Sequence, residues 1–138
     1  MLDTCVLVTA IRSQNGSSDL LVKAALRRRL VPLVSVPLVL EYEAVLTRSE
    51  HLGVSGFSVS EVVGIVKAFC LSGEPVHLPR SIGPLLNDPG DEFVIETAIF
   101  GKADMIVTFN RRHFESAARK FNIEIVSPSE ALKRIDPI

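Results

Sequence analysis

The chain is 138 residues long, 47% hydrophobic and 22% charged, the size and composition of one folded domain with a generous apolar core and not of a disordered segment. Fifteen Lys and Arg stand against sixteen Asp and Glu, so net charge neither demands nor excludes a nucleic-acid partner. The least charged stretch, residues 30–40, carries prolines and falls short of the ~20 apolar residues that span a bilayer, and no basic or apolar leader precedes Asp3, so a cytoplasmic protein without a membrane helix or secretory signal is expected.

Helix-length amphipathic stretches alternate with short apolar runs, which predicts a single α/β domain over residues 1–138, a three-layer α/β/α sandwich with a mainly parallel central sheet. Met1-Leu2 reads as the stub of a first strand ending at Asp3, and Val6, Leu7, Ala10 and Ile11 mark a helix after it. Asn15-Gly16-Ser17-Ser18 is a turn leading to a helix over residues 18–29, with apolar positions at Leu21, Ala24 and Ala25. Residues 30–34 form a strand, and Ser35-Val36-Pro37 opens a helix to about Arg48, since proline suits a first turn. Residues 53–58 are expected as a loop and Ser60 as the cap of a helix that reaches Leu71 and stops at Ser72-Gly73. Pro75-Val76-His77-Leu78 is strand-like, and residues 80–89 are a connection. A helix over 91–101, a strand over 105–108, a helix over 111–121, a strand over 123–126 and a last helix over 129–134 follow, with no internal repeat or linker. Cys5 and Cys70 lie among apolar neighbours with no metal-binding spacing and read as reduced, small hydrophobic residues.

In an open parallel sheet ligands bind where strands end, so acids at strand ends carry weight. Asp3 ends the first strand and can also cap the helix that follows. Glu41 stands three residues after Leu38 and four before Val45, beside an apolar row, while Glu43 neighbours Val39, Leu40 and Leu46, and helical spacing alone does not choose between the two. Asp88-Pro89-Gly90-Asp91-Glu92 packs acids at a helix start, where the helix dipole also favours them. Thr108-Phe109-Asn110 closes the Met105-Ile106-Val107 strand, and Asn110 could equally shape the turn. Acids and an amide so placed can be gathered by a parallel sheet into the oxygen-rich site that hard cations such as Mg²⁺ or Mn²⁺ need.

At these residues the sequence resembles the PIN-domain family. Leu2-Asp3-Thr4-Cys5-Val6-Leu7-Val8 resembles its opening Asp-Thr-Asn. The block from Ser35-Val36-Pro37 through Glu41-Tyr42-Glu43 to Leu46, the acidic Asp88–Glu92 block, the run from Ala103-Asp104 through Asn110-Arg111-Arg112 to His113-Phe114, and the tail Ile123 to Leu132 follow in order. The branch resembled is the one described as the toxin component of toxin–antitoxin systems. The resemblance implies a ribonuclease dependent on Mg²⁺ or Mn²⁺, with Asp3, Glu41 and Asp91 as metal ligands and Asn110 at the fourth catalytic position. It selects Glu41 over Glu43. It also implies a cognate antitoxin and a homodimer or higher homo-oligomer as partners.

Two residues depart from the family pattern: Cys5 stands where Asn is usual, and Asn110 brings a neutral oxygen where an acid is common. Arg12, Lys23, Arg27, Arg28, Arg29, Arg48, Arg111 and Arg112 are available to hold RNA. Arg111 and Arg112, next to the site strand, are the favoured phosphate contacts, with Arg12 added from the first helix. A haloacid-dehalogenase-like phosphatase is disfavoured because Cys5 replaces the second Asp it needs, and a nucleotide-binding module because no Gly-rich phosphate loop occurs. The standing alternative is a catalytically weak PIN-fold protein that binds RNA or protein in a regulatory role.

Overall fold

The computed structural model describes residues 1–79 and 89–135, so Asp88 and most of the connection expected over 80–89 lie outside the described residues. The first helix, α1 (Thr4–Arg12), starts at Asp3, whose carboxylate accepts from the Thr4 N–H at 2.8 Å, and buries Val6, Leu7, Ala10 and Ile11. Helix α2 (Ser17–Leu26) ends three residues before the expected Arg29. Arg28 takes a left-handed conformation (φ 61°), and its N–H turns back to the Ala25 carbonyl.

Strand β1 (Leu33–Val34) leads into α3 (Val36–Leu46), with Pro37 in the first turn and Leu38, Tyr42 and Leu46 on its buried face. The loop expected over 53–58 is partly helical: α4 (Ser49–Ser55) runs through Gly53 and stops at Gly56 (φ 78°), whose N–H donates to the Leu52 carbonyl. Seven residues with one buried side chain, His51, are too few to show a helical period. Helix α5 (Val59–Leu71) is capped by Ser58, not by Ser60, because Glu61 completes a reciprocal capping box with it. Next come β2 (Glu74–Pro75), α6 (Pro89–Phe100), β3 (Met105–Val107), α7 (Arg111–Lys120), β4 (Glu124–Val126) and α8 (Pro128–Ile135).

Every strand pairing among the described residues is parallel, as expected, but the pairing forms two short ladders and not one sheet. β1 pairs with β2, and β3 pairs with β4 in the register Ile106 to Ile125. The Met1-Leu2 stub joins β3 through one parallel bridge: the Asp3 N–H donates to the Val107 carbonyl at 3.0 Å and the Val107 N–H to the Met1 carbonyl at 2.8 Å. Strand β2 is held to β1 by the Glu74 N–H donating to the Pro32 carbonyl at 2.9 Å and the Val76 N–H to the Val34 carbonyl at 2.7 Å, so Pro75 between them costs the ladder no bond. The chain must also turn tightly at Gly73, where a Cβ would stand 2.2 Å from the Pro32 carbonyl oxygen.

One core holds these pieces together. Leu2, Leu7, Leu38, Tyr42, Ile95, Ile106 and Phe114 are all at most 2% exposed. The Tyr42 ring meets Phe69 edge-on at 6.1 Å, and its hydroxyl donates to the Leu2 carbonyl at 2.6 Å, tying α3 to the strand stub that ends at Asp3. The buried Ser35 and Thr97 hydroxyls, 2.7 Å apart, tie the end of β1 to α6. Among the described residues no single helix is long and apolar enough to cross a membrane.

Candidate metal centre

The first strand, β1 and β3 each lead within a few residues into a helix, α1, α3 and α7, and the site lies at such junctions. There Asp3, Glu41, Asp91 and Asn110 line one cavity of about 300 Å³, together with Thr4, Cys5, Val8, Val45, Arg48 and His113. Asp3 reaches it from the end of the first strand, Glu41 from the second turn of α3, Asp91 from the first turn of α6 and Asn110 from the residue before α7. Glu43 does not line it.

Asp3 is the fixed member. It is 4% exposed, and besides the Thr4 N–H it accepts the Thr108 hydroxyl at 2.7 Å and the Cys5 thiol at 3.2 Å. Thr108 in turn accepts the Asn110 N–H at 2.9 Å, so one hydroxyl links the carboxylate on the first strand to the turn after β3. That role of Thr108 was not singled out from the sequence, although its place right after an apolar strand is a usable signal. Asp91, 15% exposed, lies 2.8 Å from His113 Nδ1. His113 was also not singled out; it stands three residues after Asn110, one helical turn away on the same face of α7. The Glu41 carboxylate makes no hydrogen bond or ion pair among the described residues.

The favoured phosphate contacts lie elsewhere. Arg12 donates to His51 Nδ1 at 2.9 Å, Arg111 stands 3.5 Å from Glu130, and neither they nor Arg112 line the cavity. Among the described residues the cationic or titratable nitrogens that do line it belong to Arg48 and His113.

Among the described residues no three His, Cys, Asp or Glu side chains are gathered as a metal cluster. The fit to a divalent cation is therefore one of donor chemistry: three carboxylates and an amide around one cavity are the oxygen set of Mg²⁺ or Mn²⁺, and Glu41 has no competing partner. Among the described residues the Cys5 thiol is the one thiol on the wall, and burial holds it protonated. Burial and then the Asp3 carboxylate push it up to about 12, while burial and Glu43 push Cys70 up to about 11. Both folded values lie above the ordinary 9, so the stabilisation from keeping these thiols neutral is complete below pH 9 and is lost as pH rises through 11 and 12. At pH 8 in chelator, iodoacetamide should alkylate both slowly in the folded protein and rapidly in denaturant. Fast labelling of Cys5 in the native state would contradict that environment.

An α/β domain that brings an acid at a strand end and two acids on helices to one cavity narrows the class, and the comparison with known families names it. The family model described as PIN domain matches residues 1–112, most of the chain and all four lining residues Asp3, Glu41, Asp91 and Asn110, and the chain belongs to the PIN-domain family. PIN domains are generally nucleases and generally use divalent metals. No curated protein and no solved structure matches the chain.

Proposed function

We infer that this PIN domain is a ribonuclease that hydrolyses RNA phosphodiester bonds with Mg²⁺ or Mn²⁺. The observation that carries the reading is the meeting of Asp3, Glu41, Asp91 and Asn110, spread over more than a hundred residues of sequence, on the wall of one cavity. The chemistry supplied by a bound divalent cation is the activation of a water and the neutralisation of charge on the phosphate and leaving oxygen. Asp3, Glu41 and Asp91 would hold it, and Asn110 would add a neutral oxygen. The Thr4 N–H and the Thr108 hydroxyl orient Asp3, and His113 orients Asp91. Arg111 and Arg112, exposed at the start of α7, would take RNA phosphates outside the cavity, with Arg12 at the end of α1. In the same reading the two parallel ladders belong to one central layer between helices.

The reading extends to a cytoplasmic toxin, acting as a homodimer and restrained by a cognate antitoxin. An apolar groove of about 260 Å³ between α1, α2 and α5, with Ile11, Val22, Phe57 and Ile65 on its walls, offers room for an apolar segment. The direct test is incubation of purified protein with RNA: cleavage in Mg²⁺ or Mn²⁺ that stops in chelator is expected. Cys5 and Asn110, which depart from the family pattern at the site, favour a second reading, a catalytically weak module that binds RNA or protein. RNA binding without metal-dependent cleavage would select it.

Asn110 tests the number of cations. Three carboxylates suffice for one divalent ion, whereas a second is poorly compensated until substrate phosphate arrives. Calorimetry of the free protein should show one strong site. Asn110→Asp should strengthen a second and move cleavage to lower metal concentration. Two equally strong sites beforehand, or unchanged metal dependence afterwards, would make Asn110 a turn residue only.

A further inference from the structure

We propose that Arg48 is the residue that grips the RNA phosphate at the reacting position, a proposal that rests on the nuclease reading above. Arg48 has an extended backbone at the junction between the end of α3 and the start of α4, and that junction brings it to the same cavity wall as Glu41. Among the described residues it is the one guanidinium on the wall of the carboxylate cavity.

Among the described residues that guanidinium makes no hydrogen bond and comes within 4 Å of no carboxylate, although Asp3, Glu41 and Asp91 line the same space. Arg12 is engaged with His51, Arg111 with Glu130, Lys23 with Asp19 and Arg134 with Glu124, and Arg112, which has no such partner among the described residues, does not line the cavity. The cavity thus divides its chemistry. Carboxylates face a cation, and five unengaged N–H donors in a planar fork face an anion, the geometry that matches two non-bridging phosphate oxygens. His113 has one ring nitrogen, Nδ1, committed to Asp91, so it can offer at most a single N–H to an anion where Arg48 offers a two-pronged fork.

The test separates binding from chemistry. In an Asp91→Asn background, which suppresses cleavage, the fluorescence anisotropy of a labelled single-stranded RNA oligonucleotide in Mg²⁺ reads affinity alone. Adding Arg48→Ala, or Arg48→Gln as a longer neutral replacement, should weaken binding about tenfold or more, the scale of one charge-assisted contact. It should also flatten the logarithmic salt dependence by about 0.7, the share of one phosphate on a single strand. Arg48→Lys should restore the salt slope but not the full affinity, since an ammonium cannot form the two-pronged contact. Lys67→Ala, which removes an equal exposed charge on α5 away from the cavity, should change neither. With Asp91 intact, Arg48→Ala should lower kcat/KM by a similar factor. If the unsubstituted protein cleaves RNA and Arg48→Ala leaves affinity, salt slope and kcat/KM unchanged, Arg48 has no phosphate role and the nuclease reading stands. If the unsubstituted protein neither binds nor cleaves RNA, both fall.

Discussion

Asp91→Asn is expected to reduce metal-dependent RNA cleavage by about two to three orders of magnitude, the equivalent of roughly 3 to 4 kcal/mol of transition-state stabilisation. The substitution keeps the shape of the side chain and an oxygen that can accept from His113 Nδ1, and it removes one of the three negative charges lining the cavity. Against that relief stands the loss of a favourable charge in the first turn of α6, about 0.3 to 1 kcal/mol. The two oppose each other, so the melting temperature should move by only a few degrees. Cleavage assays and thermal melts on the same preparation read both quantities. A fall in stability as large as the fall in activity would mean that Asp91 serves the helix start and its histidine, not a metal.

Tyr42→Ala is expected to have the opposite signature, a loss of folding stability of about 3 to 5 kcal/mol, the range for emptying a buried aromatic site. The ring is fully buried against Phe69, and its hydroxyl is the partner of the Leu2 carbonyl. Since a domain of this size holds only ~5 to 15 kcal/mol in all, the variant should unfold at much lower urea than the parent. Tyr42→Phe isolates the hydroxyl and should cost about 1 to 3 kcal/mol, because a buried carbonyl is left without a donor. Equal urea midpoints for Tyr42→Phe and the parent would show that water replaces that bond.

The site was more legible in the sequence than the strands that support it. Asp3 stood out because an apolar pair, an acid and then an amphipathic helix occur in that order, and the structure places it at that junction. Glu41 and Glu43 could not be separated by helical period, since both have apolar neighbours; only the family resemblance chose Glu41, which lines the cavity while Glu43 does not. His113 escaped notice because Arg111 and Arg112 drew the reading of α7 to phosphate contacts, and nothing along the chain reveals that its first turn faces α6. The sheet was read too generously. Runs of two or three residues cannot display a period of two, so the sequence does not show where pairing breaks. Helix α4 was too short to announce itself, and with it went the position of Arg48 at its mouth.

The spacing of the site along the chain has a consequence for its timing during synthesis. Asp3 is made well before its Thr108 partner and the Asn110 turn, which lie more than a hundred positions later, and the bridge that seats the first strand needs Val107. Contacts so distant in sequence close only when both ends are available. At the usual 5 to 20 residues per second, several seconds separate translation of Asp3 from that of its partners. A nascent chain therefore carries acids without a site, and on the nuclease reading a polypeptide interrupted before Asn110 is harmless to the RNA that encodes it.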